Sequence, residues 1–218
     1  MASETHQCVL AWANRDHAPD QRTEATASQR APRPAVFLDR DGVIIENRDD
    51  YVKSWREVRF LPGAFAAIRQ LPALGYVVVI VTNQSAIGRG LLTLADAVQI
   101  NRQIVAEIEA HGGRVDACYL CPHHPAAHCD CRKPAPGMLL RARDDLQLDL
   151  TRSHLVGDAL TDIEAAEAAQ VPGVLVRTGR GAAEAMRLGD GAPSRCRVVP
   201  DLGAALDHIR LVSEKVAR

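Results

Sequence analysis

Asp39 and Asp41 stand two residues apart where an apolar run, Ala35-Val36-Phe37-Leu38, gives out. On a strand ending in a loop, that spacing lets one carboxylate attack an electrophile while the other handles protons. Hydrolysis of a phosphate monoester most needs such a pair, because it is among the slowest uncatalysed reactions, accelerated by enzymes up to roughly 10²¹-fold. Acidic pairs are also common in solvated turns. The apolar lead-in separates this pair from them.

Three later segments offer matching chemistry behind further apolar runs. Val81-Thr82-Asn83-Gln84-Ser85 supplies hydroxyl and amide groups suited to phosphate oxygens. Arg132-Lys133-Pro134 supplies two cations able to neutralise a transferring phosphoryl group. Val156-Gly157-Asp158 ends a run in an acid that could share a Mg²⁺ with Asp39, leaving Asp162 as support behind it or as a helix cap. Singly, each is an ordinary surface or capping feature. Their succession, in the order Asp39, Thr82, Lys133, Asp158, is not ordinary.

A second constellation is Cys121-x-His123 followed, after five residues, by Cys129-x-Cys131. Three thiolates and an imidazole form a soft set that suits tetrahedral zinc, and four protein ligands leave no open position, so the expected role is structural. His124 and His128 read as exposed loop residues, Cys118 as a small core residue, and Cys8 and Cys196 have no partner visible in sequence. Six cysteines, four of them between positions 118 and 131, do not resemble a spread-out disulfide framework.

The elements that must carry these groups follow an alternation of strand-length apolar runs and helical patterns, the mark of an α/β fold with a parallel sheet between helices. Strands are predicted at Ala35 to Leu38, Tyr76 to Val81, Ala117 to Leu120, His154 to Val156 and Gly173 to Val176, with a weak one at Arg197 to Val199. Helices are predicted at Ala64 to Leu74, Ala95 to His111, Met138 to Leu146, Asp162 to Ala169 and from Leu202 toward Val216. Right-handed crossovers then put the loops after the first, second and fourth strands on one sheet edge. Met1 to Pro34, without sustained periodicity, are expected to form a mobile extension before one domain spanning residues 35–218; within them Cys8-Val9-Leu10-Ala11-Trp12 reads as an idle apolar piece.

The chain has 218 residues, 47% of them hydrophobic, enough for one well-filled domain and too few for two large ones. Lys and Arg total 26 against 27 Asp and Glu, so no overall field favours nucleic acid or an anionic membrane. No run approaches eighteen apolar residues, and the first thirty lack the organisation of a secretory signal. A cytoplasmic, monomeric protein acting on a small molecule is the expectation.

The segments Phe37 to Gly42, Thr82 to Ser85, Cys121 to Pro125, Cys129 to Pro134 and Pro136 to Leu140 together resemble the haloacid dehalogenase (HAD) superfamily of phosphohydrolases, over Ala35 to about Gly181. The resemblance implies a Rossmann-like, HAD-like parallel sheet with helices on both faces, no large cap domain, a zinc-binding loop, Mg²⁺ dependence and a covalent aspartyl-phosphate. It makes Asp39 the nucleophile and Asp41 the general acid and base, with Mg²⁺ on Asp39, the Asp41 backbone carbonyl and Asp158. Thr82 and Lys133 would bind phosphoryl oxygens, Asn83 and Arg132 would orient the substrate, and Arg132 would meet a retained phosphate. Zinc on Cys121, His123, Cys129 and Cys131 would hold Arg132 and Lys133 in place.

Two branches of the superfamily share this pattern. Ser85 to Gly90, Asp50-Tyr51-Val52 and Pro136 to Leu140 resemble the branch acting on a heptose bisphosphate, where Arg89 would offer a cation to a sugar or second phosphate. The short stretch between His123 and Cys129 is closer to the branch acting on histidinol phosphate. Ala159 departs from both the charge and the length of the lysine frequent at that position. The reading taken is removal of the 7-phosphate of a heptose 1,7-bisphosphate; the alternatives are histidinol phosphate hydrolysis and a non-catalytic zinc-binding module.

Overall fold

The computed structural model describes residues 8–13, 31–188 and 196–216. Seven strands form one sheet: β1 (Val9–Ala13), β2 (Ala35–Leu38), β3 (Val77–Asn83), β4 (Ala117–Cys121), β5 (His154–Gly157), β6 (Gly173–Val176) and β7 (Cys196–Val199). Their order is β1-β4-β3-β2-β5-β6-β7, parallel throughout except that β1 runs antiparallel to β4. The chain winds outward from β2 through β3 to β4, then returns to β5 and winds the other way. The order therefore reverses between β2 and β5, the crevice at which open α/β sheets bind ligands.

The central strands are buried on both faces, which is why they read as continuous apolar runs rather than alternating ones. Alternation persists in three dimensions: Val36, Leu38, Val78 and Ile80 join one core cluster, while Ala35, Phe37, Val77 and Val79 join the other. The first core packs under α1 (Ala64–Ile68), α3 (Leu94–Ala110) and α7 (Leu202–Val216); the second packs under α4 (Gly137–Leu146) and α5 (Leu160–Ala168). Between α1 and α3 lies the one-turn α2 (Ser85–Gly88), and α6 (Gly181–Leu188) follows β6. No helix among the described residues is long and apolar enough to cross a membrane.

Three expectations need correction. The helix expected over Ala64 to Leu74 stops at Ile68 and resumes only as a 3₁₀ turn, Pro72–Leu74, because Pro72 can donate no helical N–H. Helices α2 and α6 were not anticipated. Residues 8–13 are not an idle piece of an extension: β1 pairs with the edge of β4, Val9 opposite Leu120 and Ala13 opposite Ala117, and Cys8 and Ala11 are buried. The unpaired backbone groups along an edge strand supply the partner. Residues 1–7 and 14–30 of the expected extension lie outside the described residues.

Candidate active site

The carboxyl ends of β2, β3 and β5 and the segment after the cysteine cluster converge on a cavity of about 410 Å³. Asp39 leaves β2 with its N–H still bonded to the Val156 carbonyl at 2.9 Å, so its position is set by the neighbouring strand. The chain then turns back at once. Gly42 has φ of +84°, and a Cβ there would lie 2.0 Å from Asp158 Oδ2, so only glycine fits between the two acid-bearing loops.

Lys133 is buried behind Asp39. Its ammonium donates to the Val81 carbonyl at 2.9 Å and forms ion pairs with Asp39 Oδ1 at 2.9 Å and Asp162 Oδ1 at 2.6 Å. Burial pulls against its charge, yet Asp162 and Asp39 hold its pKa above the ordinary value. Asp39 is driven the other way: burial pushes its carboxyl up to about 8 against the attraction of Lys133, and the charges of Asp162, Asp158 and Asp41 add to the rise. Burial also lifts Asp158 to about 6, although the Arg180 N–H donates to its Oδ2 at 2.8 Å.

One lysine thus faces three buried acids. Oxygens of Asp39, Asp158 and Asp162 lie within 4.8 Å of one another. Asp158 Oδ1 is buried with no hydrogen-bond partner. Unshared negative charge and an orphaned carboxylate oxygen are what a hard divalent cation such as Mg²⁺ satisfies, so the donor set fits the metal. Asp162 is largely committed already, one oxygen to Lys133 and the other to the Ala159 N–H at 3.1 Å, which makes it a brace for Lys133 and a cap for α5.

Asn83 differs from expectation. Both ends of its amide are taken by the Lys133 backbone, the Nδ2 donating to the carbonyl at 3.0 Å and the Oδ1 accepting from the N–H at 3.1 Å. It therefore anchors the lysine loop to β3 rather than reaching for substrate. Thr82 is buried at the cavity wall, and Arg89 and Arg132 line the cavity, Arg132 with a buried Nη1 that lacks a hydrogen-bond partner.

Sequence reasoning missed two sets of residues. Arg40, 1% exposed, grips Asp41 with Nε and Nη2 at 3.1 and 3.0 Å and also bonds Gln84 and Asn101. A charge between two acids reads in sequence as solvated, and only its burial reveals otherwise. The loop after β6 also enters the site: Thr178 Oγ1 donates to the Gly42 carbonyl at 2.6 Å, Gly179 packs against Asp158 and Gly42, and Arg180 lines the cavity. The segment Thr-Gly-Arg-Gly (178 to 181) was the available signal.

The four residues of the soft constellation come together beside this cavity. Cys121 ends β4, and the segment returns through a short turn at Pro125–Ala127 to Cys129 and Cys131, immediately before Arg132. Cys121 and Cys131 Sγ are each 3.6 Å from Cys129 Sγ, and His123 Nδ1 is 3.4 and 3.3 Å from Cys121 and Cys131 Sγ. Zn–S bonds of about 2.3 Å give tetrahedron edges of about 3.8 Å, and the shorter Zn–N bond shortens the edges at histidine, so spacing and donor chemistry both fit zinc. Gly88 of α2 abuts this loop so closely that a Cβ would lie 2.1 Å from the His124 nitrogen.

A parallel sheet with a strand-end Asp-x-Asp, a following hydroxyl, a lysine from a third loop and an acid across the switch point define a HAD-type hydrolase. A HAD-hydrolase-like family model matches residues 130–205. The chain is 45% identical over 148 residues to D-glycero-beta-D-manno-heptose-1,7-bisphosphate 7-phosphatase of Rhodopseudomonas palustris, covering 65% of this chain and 82% of that one. Over 155 residues it is 44% identical to the Escherichia coli K12 enzyme of the same name, covering 67% and 81%. Among solved structures, D,D-heptose 1,7-bisphosphate phosphatase from B. bronchiseptica, complexed with magnesium and phosphate, superposes with a TM-score of 0.76 at 38% identity, covering 83% of this chain and 99% of that one. The chain belongs to the HAD-like phosphatase family that contains these enzymes.

Proposed function

We propose that this phosphatase is Mg²⁺-dependent, works through an aspartyl-phosphate on Asp39, and removes the 7-phosphate of D-glycero-D-manno-heptose 1,7-bisphosphate. The observation that carries the chemistry is the buried group of Asp39, Lys133 and Asp158 at the switch point, with Asp41 two residues on. The substrate is supported by the names of relatives at 44–45% identity and by Arg89, Arg132 and Arg180, which are among the residues lining the cavity.

Asp39 attacks phosphorus in line, and Lys133 and the Thr82 hydroxyl hold the phosphoryl oxygens as charge builds on them. Asp41 protonates the departing alkoxide and then takes a proton from the water that opens the acyl-phosphate. Asp39, Asp158 and the Asp41 carbonyl would hold Mg²⁺, which when bound supplies charge neutralisation at the phosphoryl group. Arg132, with its unpartnered Nη1, is assigned to the phosphate that is retained. Cys121, His123, Cys129 and Cys131 would hold a structural zinc that fixes the direction of Arg132 and Lys133.

Phosphate release with Mg²⁺ from heptose 1,7-bisphosphate and from histidinol phosphate, measured side by side, tests the assignment. A kcat/KM preference for the heptose substrate is expected; a preference for histidinol phosphate would move the chain to that branch.

A further inference from the structure

Gln84 lies between the two sides of the proposed reaction, the proton-handling acid and the phosphate-binding hydroxyl. Its Nε2 is 2.7 Å from Thr82 Oγ1 and 3.0 Å from Asp41 Oδ2, and its Oε1 is 3.0 Å from Arg40 Nη2. Arg40, Thr82, Gln84 and Asn101 are all buried, at 1, 1, 4 and 1% exposure, so solvent does not share these bonds.

A guanidinium only donates. The Gln84 atom facing Arg40 must therefore be its carbonyl oxygen, and the atom facing Thr82 and Asp41 must be its NH₂. Amide orientation is often ambiguous, but here the donor-only partner decides it. Asn101 fixes the far end on the same logic: its Oδ1 accepts from Arg40 Nη1 at 3.2 Å and its Nδ2 donates to the Ala97 carbonyl at 3.0 Å within α3. A threonine hydroxyl has a single proton, and accepting from Gln84 occupies the oxygen without using that proton.

We infer that Arg40, anchored by Asn101, sets the direction of a relay through Gln84 that leaves the Thr82 proton to be donated into the cavity, toward a phosphoryl oxygen. Gln84 is thus a positioning residue, acting through Thr82 on phosphate and through its second N–H on Asp41. The inference deepens the phosphatase reading and rests on it.

Gln84→Glu reverses the relay with little change of shape. Its carboxylate keeps the bond from Arg40 but presents an acceptor to Thr82, which then turns its proton away from the cavity. Binding of inorganic phosphate with Mg²⁺, followed by calorimetry at pH 8 together with kcat/KM, reads the effect. Gln84→Glu is expected to weaken phosphate binding about a hundredfold, and Gln84→Leu, which removes the donor without reversing it, about tenfold. A role confined to filling space or partnering Arg40 predicts the opposite ranking. With Thr82→Val as background, the gap between the two Gln84 variants should close to about threefold or less, whereas Thr82→Ser should retain it.

Near-wild-type phosphate binding by Gln84→Glu, or an equal gap with valine and with threonine at position 82, would overturn the relay. If Gln84→Glu does not fold, a Gln84→Leu penalty that is undiminished by Thr82→Val overturns it equally. Wild-type protein that neither binds nor releases phosphate removes the phosphatase reading and the relay together; normal wild-type behaviour with an additive cycle removes the relay alone.

Discussion

The two clusters of potential metal donors differ in how they are built and in what they leave open. The carboxylates come from separate places, Asp39 after β2 and Asp158 and Asp162 around the start of α5, and they border a cavity. The thiols and imidazole come from one stretch of eleven residues, 121 to 131, that closes on itself. Without a cation, Asp39 and Asp158 are held above their ordinary range, mainly by burial and also by mutual repulsion. The sulfur cluster instead shares its protons: hydrogen bonding, led by Cys131, draws Cys121 down to about 5, and Cys131 is pushed up in return. An assembly of hard oxygens around a void is suited to changing chemistry, and a closed soft set is suited to holding shape.

The largest expected effect separates these roles outright. Asp39→Asn should lower phosphate release by about 10⁴-fold or more, because the proposed nucleophile is gone. Its zinc content should be unchanged. Loss of zinc alongside activity, measured by metal analysis of the purified variant, would mean that the two clusters are not separate devices. Cys129→Ser should do the reverse, reducing bound zinc well below one equivalent and lowering Tm by about 10 °C. Full zinc retention in that variant would remove Cys129 from the ligand set.

A third test uses pH. Carboxyls whose folded pKa is raised bind protons that the unfolded chain has already lost, so stability falls as pH rises toward the folded values of about 8 for Asp39 and 6 for Asp158. His154, at the far end of the sheet, is lowered to about 4, chiefly by burial, and acts oppositely below its unfolded value. Between pH 6.5 and 8 Cys121, drawn down to about 5, also acts oppositely, so the carboxylate contribution is the part of the slope that Mg²⁺ changes. Mg²⁺ at a hundred times its Kd should add about 2.7 kcal/mol and turn the slope across that window more positive, because it displaces the protons that the folded carboxyls hold. A slope unaffected by Mg²⁺ would detach the metal from these acids.

The same contrast explains what could be read from the amino-acid order. The sulfur cluster was legible because its ligands are close in sequence and their type admits few other uses. Asp39, Thr82 and Asp158 were legible because each closes an apolar run and the parallel topology brings such ends together, and Lys133 because it directly follows the cysteine cluster. Arg40 and Gln84 sat inside quoted motifs without a visible role, since only burial makes donor direction matter. Asn83 pointed to phosphate by type, yet its amide is taken by the Lys133 backbone, a partner fifty positions away. The loop carrying Thr178 to Arg180 was hidden for a similar reason: its contacts, with Gly42 and Asp158, are tertiary.

β1 is the hardest such case, because its partner β4 lies more than a hundred residues on, and it yields the smallest expected effect. The strand joins the sheet at the edge that also carries Cys121, and the Arg141 guanidinium of α4 donates to the Cys8 carbonyl at 3.0 Å. Cys8 packs in the same core as Cys121, Cys129 and Cys131. Ala11, 2% exposed, faces the other core. Ala11→Asp would bury an unpaired charge and release the strand, at a cost of about 1–2 kcal/mol, seen as a fall in Tm of about 2–8 °C. Asp39, Lys133 and Asp158 are on loops that β1 does not contact through the sheet, so kcat/KM should stay within about twofold, while the bared edge of β4 should raise aggregation on heating. A large loss of turnover in this variant, with zinc retained, would show that β1 supports the cavity itself and that the division between a shape-holding region and a reacting one is drawn in the wrong place.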